Sequence, residues 1–313
     1  MVENSIYAID LSSRVQRRIR EDDTGFQQAL GLDYYSKLNT EYRDVATVIF
    51  QPYLVRLDNY ARFPAHFDDD DDWEFIPRIC NLNLHLTDER WLNLKLGHME
   101  IPYGPEVPIN SNGTLRQFLH PQNFGMKADW GFSLNGTLDP IQYEFALTRG
   151  SGIEFNSGRD PFAVSGRVGN AIDAESYYGF NSFGISFFRG DVLTRTGAKI
   201  QRSRVGLDGQ YYHGPMGVVA EVSAGQNDDT DVVNTLVELN YVNRRETIFL
   251  YNQVRLLRLK AAGGWNESDA LRIGVRYTPD NRWALSSELT QELNAFGNLR
   301  TETLLFFQLR YRL

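Results

Sequence analysis

The sequence predicts an all-β fold: one closed antiparallel transmembrane β-barrel of about sixteen strands, formed by residues 1–313 as a single domain. Three observations carry this expectation. Apolar residues recur with a period of two, links between the alternating runs are short and long by turns, and aromatic residues gather at the ends of the runs.

The period is plain in four places. Leu82, Leu84 and Leu86 alternate with Asn81, Asn83 and His85, and Leu92, Leu94 and Leu96 with Asn93, Lys95 and Gly97. Leu271, Ile273, Val275 and Tyr277 alternate with Arg272, Gly274 and Arg276. At the end, Leu305, Phe307, Leu309, Tyr311 and Leu313 alternate with Phe306, Gln308, Arg310 and Arg312. Alternation puts each set on its own face of a strand, whereas a helix would scatter Leu271, Ile273 and Val275 around its cylinder.

Such runs fall at 5–16, 27–38, 43–57, 75–86, 90–98, 124–137, 140–149, 161–168, 180–189, 198–211, 215–225, 231–242, 246–257, 268–278, 282–292 and 301–313. Short links are expected near 38–43, 86–91, 136–141, 211–216, 242–247 and 278–283. Long ones are expected at 17–26, 58–74, 99–123, 150–160, 190–197, 226–230, 258–267 and 293–300. The link 169–179 is longer than this layout wants. Short turns at one end and longer loops at the other are the plan of an outer-membrane barrel, with periplasmic turns and extracellular loops.

A soluble β-sandwich would show the same alternation with its apolar face turned inward. The barrel is favoured because the polar face carries Gly, Asn, Ser, Arg and Glu, which suit a wet lumen, and because alternation runs to Leu313. Tyr7, Trp73, Trp91, Trp130, Tyr143, Tyr211, Tyr241, Trp283 and Tyr311 also sit where rings meet a membrane interface. No window approaches 18 consecutive apolar residues, so no transmembrane helix is expected; a membrane strand needs only alternate apolar residues. The start, MVENSIYAID, has neither a basic nor an apolar signal region, and the numbering is expected to begin near the mature end of an exported chain. A net charge of −8 argues against nucleic acid as a partner. The single cysteine, Cys80, excludes an intrachain disulfide and a cysteine-based zinc site.

Residues 94–104 read LKLGHMEIPYG, followed by FGMKADWGFSLNGTL, IQYEFALTRGSG and PFAVSGRVG. This stretch, residues 90–170, resembles the phosphate-selective porin O and P family. The matching positions are Gly97, Pro102, Tyr103, Gly104, Asp129, Gly131, Gly136, Gly166 and Arg167. The resemblance implies a sixteen-stranded outer-membrane porin, often a homotrimer, with a third loop folded inward. The family's phosphate members carry a lumen ladder of basic residues. That ladder has no residue-by-residue match here, so phosphate selectivity is not carried over. The terminal FFQLRYRL looks like a barrel-assembly signal, departing from the common form by ending in Leu313 where Phe is usual.

The third long link contains Pro102, Tyr103, Glu106, Asn112 and Arg116. Folded inward, it would narrow the pore; the alternative is an exposed external loop. On the polar face lie Arg14, Lys95, Arg167, Arg202, Arg204, Arg255, Arg272, Arg276, Arg310 and Arg312, with Asp10, Asp129, Glu144, Asp208, Glu221, Glu238 and Glu288. The arginines of segments one, thirteen, fourteen and sixteen meet at the barrel closure, with Asp129 and Glu144 roughly across from them. Such opposed walls would favour anions, with Glu288 pairing one of its arginine neighbours and leaving the others free; the alternative is that these groups pair with each other and only keep the interior wet. Asp68, Asp69, Asp70, Asp71 and Asp72 are a weak calcium candidate, a solvated loop being the plainer reading.

No histidine stands in a zincin or nucleophile-elbow spacing, and no cofactor is expected. The leading expectation is a water-filled channel for small polar solutes or anions, held in outer-membrane lipid and lipopolysaccharide, and no enzyme. A second reading is a barrel sleeve around a partner protein such as a multihaem cytochrome; haem would come from the partner, since this chain has no CxxCH. A third, a barrel hydrolase, needs a Ser or Asp within hydrogen-bond reach of a histidine.

Overall fold

The computed structural model describes residues 2–60, 72–109, 111–155, 158–170, 181–194, 197–297 and 299–313. Sixteen strands follow one another in the order β1 Val2–Arg18, β2 Asp23–Asn39, β3 Asp44–Asp58, β4 Trp73–His85, β5 Asn93–Glu100, β6 Ala128–Leu138, β7 Ile141–Thr148 and β8 Ala163–Asn170. They continue as β9 Asn181–Leu193, β10 Lys199–His213, β11 Met216–Asn227, β12 Thr230–Val242, β13 Ile248–Ala261, β14 Gly264–Tyr277, β15 Trp283–Asn294 and β16 Thr303–Arg312. Two short helices, α1 Glu106–Ile109 and α2 His120–Phe124, interrupt the link between β5 and β6.

Every strand pairs antiparallel with its neighbours in sequence, and β1 pairs with β16, so the sheet closes into a barrel. The seam runs from Asp10 opposite Arg312 to Arg18 opposite Leu304. Below it, Ile9 and Leu313 exchange both backbone bonds at 3.0 Å. Closure leaves the ladder of β1 and β16 with no open edge along this seam.

The alternation seen in the sequence sorts side chains inside from outside. On β10, Val205 and Leu207 are 61% and 59% exposed on the outer face, while Arg204 and Asp208 on either side of them are 1% and 6% exposed within. β16 repeats the pattern, with Phe307 and Leu309 outside and Phe306 and Gln308 buried. This is a soluble sandwich turned inside out: large apolar side chains cover the exterior and charged ones fill the interior.

The links differ from expectation at the end reached by the odd-numbered strands. Those at 19–22, 228–229 and 262–263 are tight turns, because the strands on either side extend into the segments read as loops. Arg17 pairs with Thr24, Gln226 with Asp231 and Lys260 with Trp265. Charged, Gly and other polar residues interrupt the apolar period in these outer ends before the hydrogen bonding stops. The link expected at 169–179 falls almost wholly on residues 171–180, outside the described ones. Strand length is uneven, from 17 residues in β1 and β2 to 8 in β5, β7 and β8. Register slips between β3 and β4 at Gln51 and Pro52, where Pro52 faces Pro77 and neither has an N–H for the ladder.

Candidate functional site: a loop strapped across the barrel interior

The chain leaves β5 at Glu100 and enters β6 at Ala128, and the 101–127 link between them is tied to walls far away in sequence. Its entry depends on glycine. Gly97 has φ 126° and its Cβ would fall 2.2 Å from the Cys80 carbonyl oxygen; Gly104, at φ 56°, turns the chain and donates its N–H to Ser186 Oγ at 3.0 Å. Tyr103 is fully buried, its hydroxyl 2.7 Å from Ser223 Oγ, over Gly206, where a side chain would strike the phenol.

Three apolar clusters hold the loop. Ile101, Tyr103, Phe124 and Met126 pack on Ala163, Phe188 and Val192, with Phe124 and Phe188 ring centres 4.3 Å apart. Leu115 packs among Tyr53, Val55, Leu57, Tyr60, Ile76 and Phe306. Phe118 and Leu119 pack on Val219, Leu236 and Leu257. Polar ties sit between them. Arg116 grips Glu238 through Nε, at 2.7 Å, and Nη2, and lies over the rings of Phe118 and Phe249. Gln308 donates to the Gly113 carbonyl at 2.9 Å and Arg14 to that of Thr114 at 3.3 Å. Asn123 donates to Glu221 and accepts from Asn234, while its carbonyl takes Arg202 at 3.0 Å. The loop thus reaches from β5 and β6 to β1, β9–β13 and β16.

Glu106 is fully buried, with Lys127 Nζ 2.8 Å from its Oε1. Burial would push its carboxyl up, but the Lys127 ammonium, helped by Ser111, holds it below the ordinary carboxylate value. Burial also opposes charge on Arg116, yet Glu238 beside it raises the guanidinium above its ordinary value. Burial keeps the His120 imidazole below its ordinary value, and its Nε2 lies 3.0 Å from the Ile101 carbonyl. Asn112 donates to Glu100, and Pro102 lines a cavity of about 520 Å³ towards the short-link end, with Pro108, Lys95, Glu144 and Arg167.

The charged residues expected on the inner face are there, but most are engaged. Lys95 donates to Glu144 at 2.7 Å, and Arg167 clasps Asp208 at 3.1 and 2.6 Å. Arg204 is bound to the carbonyls of Ser203 and Gln226. Arg310 clasps Asp10, and Arg312 donates to Asp33 at 2.6 Å. Arg272 donates to Gln253, and Arg255 sits half-buried on β13 opposite Leu236 and Ala270. Glu288 accepts from Tyr251 at 2.6 Å and Thr290 at 2.7 Å. Arg276 lies over the Phe249 ring, has no ion-pair partner among the described residues, and lines a cavity of about 250 Å³ with Arg310 and Arg312.

The acidic wall differs from expectation. Asp129 is fully buried and binds backbone instead of facing a channel: it accepts N–H groups of Trp130, Gly150, Ser151 and Gly152. It fastens the link between β7 and β8. Asp129→Ala should therefore make that link trypsin-sensitive at Arg149 and Arg159 while the barrel stays folded; a link that stays resistant in limited proteolysis would remove this role. Arg78, Tyr53 and Asp33 were not expected. Arg78 Nη1 donates to Tyr53 Oη at 2.8 Å, which in turn lies 2.7 Å from Asp10 and 2.9 Å from Asp33. The slip at Pro52 hides this group, because the period of two breaks there. Of the acidic run, Asp68–Asp71 lie outside the described residues; Asp72 is exposed. His85 and His98 face the Asp44 and Arg78 carbonyls, and His85 Nε2 lies 3.3 Å from Thr47 Oγ1.

No protein-family model matches the sequence, and no curated protein matches it either. Solved structures do match in shape. The anion-selective porin from Comamonas acidovorans superposes with a TM-score of 0.70 at 12% identity, covering 100% of both chains. OprB of Pseudomonas putida gives 0.72 at 10% identity, covering 99% of this chain and 94% of that one. In-vitro folded OmpT of Vibrio cholerae, described as an outer membrane protein in trimer form, gives 0.63 at 11%, covering 100% of both. At such identities the likeness defines the class of fold: a closed sixteen-stranded barrel of the kind porins have.

Proposed function

We propose that the chain is an outer-membrane porin through which small polar solutes diffuse passively, with a preference for anions. One observation carries the reading: an inside-out barrel whose 101–127 loop crosses the interior and leaves cavities beside itself. A continuous apolar exterior of this size has no use in water. The loop narrows the lumen, and the guanidinium of Arg276, in a cavity shared with Arg310 and Arg312, supplies the anion preference. Assembly is as a homotrimer within lipid and lipopolysaccharide, by analogy with the trimeric neighbour. Residues 90–170 resemble the phosphate-selective porin O and P family through Gly97, Gly104 and their companions. A sleeve around a partner protein would need the space that the loop fills. Enzyme chemistry finds little support in histidines that face backbone carbonyls.

The test is a planar-bilayer recording of the refolded protein in a salt gradient. Steady ohmic conductance with an anion-sided reversal potential is expected. Because Arg310 is held by Asp10, Arg276→Gln alone should produce most of the shift towards cations that the triple change of Arg272, Arg276 and Arg310 to Gln produces. The shift should fade at 1 M salt, where the Debye length is about 3 Å. Identical reversal potentials at low salt would mean that this wall does not select ions.

A further inference from the structure

The cavity of about 520 Å³ on the short-link side of the loop is walled by the inner faces of β4 to β7. These four successive strands each bring an amide to it: Asn81 and Asn83 on β4, Asn93 on β5, Asn135 on β6 and Gln142 on β7. Register sets them side by side, with Asn93 opposite Asn135 and Gln142 opposite Thr137. Residues two apart share a face, so the pleat gathers the amides into one band.

The band is ordered from within. Asn93 Nδ2 donates to Asn135 Oδ1 at 3.2 Å, and Asn135 Nδ2 donates to Asn83 Oδ1 at 3.1 Å. That direction leaves the Asn83 NH2 group as a donor with no hydrogen-bond partner among the described residues, and the Gln142 amide has none at either end. Charge in the lining is matched pair by pair: Lys95 with Glu144 at 2.7 Å, Arg167 with Asp208 at 2.6 Å, and Arg90 with Asp44. Lys37, opposite Thr47 on β2, stands outside the lining, and His85 lies between the Asp44 carbonyl and Thr47 Oγ1. Ile49, Pro102 and Pro108 add an apolar wall.

An amide offers donors and an acceptor together, which suits a hydroxyl, itself both donor and acceptor. We propose that this chamber is a binding site for neutral polyhydroxylated solutes, sugars of one or two rings. Hydroxyls meet Asn83 and Gln142, and the carbon skeleton rests on Ile49 and the two prolines. The volume falls within the roughly 300–1,000 Å³ of small-molecule sites. The chamber shares no lining residue with the arginine-lined cavity of Arg276. The site deepens the channel reading above and rests on it.

The experiment adds glucose to one side of a bilayer holding the refolded barrel in potassium chloride at pH 8, above the ordinary titration of imidazole. After correction for bulk conductivity, glucose should reduce the current saturably. Tetraethylene glycol, of similar size but with few hydroxyls, should reduce it only in proportion to its concentration. Asn83→Ala and Gln142→Ala should each raise the half-blocking concentration of glucose about five-fold, the loss of one hydrogen bond. Folding is checked by heat-modifiable migration on a gel. Gln142→Ala removes an amide that holds no other described residue, and it carries the test if Asn83→Ala does not fold. Glucose that blocks no better than tetraethylene glycol in a conducting parent, or block that the folded variants keep in full, overturns the site and leaves the channel standing. A parent that never conducts overturns the channel. Equilibrium dialysis of radiolabelled glucose against the barrel folded in a sugar-free detergent then decides the site. It stands if saturable binding is weakened in Gln142→Ala, and falls if no binding is seen or the variant binds as the parent does.

Discussion

Removing residues 105–113 should raise single-channel conductance about two-fold or more while the barrel keeps its heat-modifiable migration. The segment carries Gly113, whose carbonyl takes Gln308, and Glu106, which holds Lys127, so its loss unfastens the loop tip from β16 and opens the space beside Arg14 and Arg310. The barrel survives because the strand ladders, not the loop, satisfy the backbone N–H and C=O groups. Equal conductance in parent and deletion would mean that solutes do not pass the loop tip.

Arg116→Ala should have the largest effect of any single substitution in the loop. Glu238 is fully buried, and without Arg116 it keeps, among the described residues, the amides of Asn240 and Gln253. Removing one member of a buried pair costs about 3–5 kcal/mol. The cost falls on the loop's attachment, so the expected signs are flickering current and a lower thermal midpoint with the strand content intact by circular dichroism. Replacing both members, Arg116→Met with Glu238→Leu, should restore part of the midpoint. An apolar pair can replace an ionic one, but Asn240 and Gln253 then lack their acceptor. If the double variant is no better than Arg116→Ala, the packing of Arg116 over Phe118 and Phe249, and not its charge, carries the attachment.

How much of this was legible follows from what the period of two can report. All sixteen strands were, because an apolar outer face recurs with a period of two through their middles, though the inner faces of β3 and β4 also carry Val55, Leu57 and Ile76. Their outer ends were not: Arg17, Gln226 and Lys260 lie on paired strand where charged, Gly and other polar residues interrupt the apolar period, and that interruption reads as loop. Which face a charge occupies was legible for Arg310 and Arg276. Which charge it meets was not, since the Arg310–Asp10 clasp depends on register across the seam between the first and last strands. Asp129 was misread for a related reason. Its partners are backbone N–H groups of residues 150–152, and no residue type in the sequence advertises them. Arg78 was missed because the slip at Pro52 and Pro77 breaks the alternation beside it.

The uneven strands have a consequence for how the molecule sits in lipid. Eight residues of strand tilted by about 40° climb roughly 20 Å, whereas the apolar band of such barrels is about 25 Å tall. Strands β5, β7 and β8 fall short of that band, while the 17 residues of β1 and β2 climb about 43 Å on the same reckoning and overshoot it. A bilayer of uniform thickness cannot match both sides of one cylinder. Hydrophobic mismatch is relieved by thinning the lipid beside the low side or by leaning the cylinder, at fractions of a kcal/mol for each ångström. On the channel reading proposed above, the resting posture of the barrel is set by its shortest strands, and the taller arc, with Arg17 on its upper reaches, stands clear of the hydrocarbon.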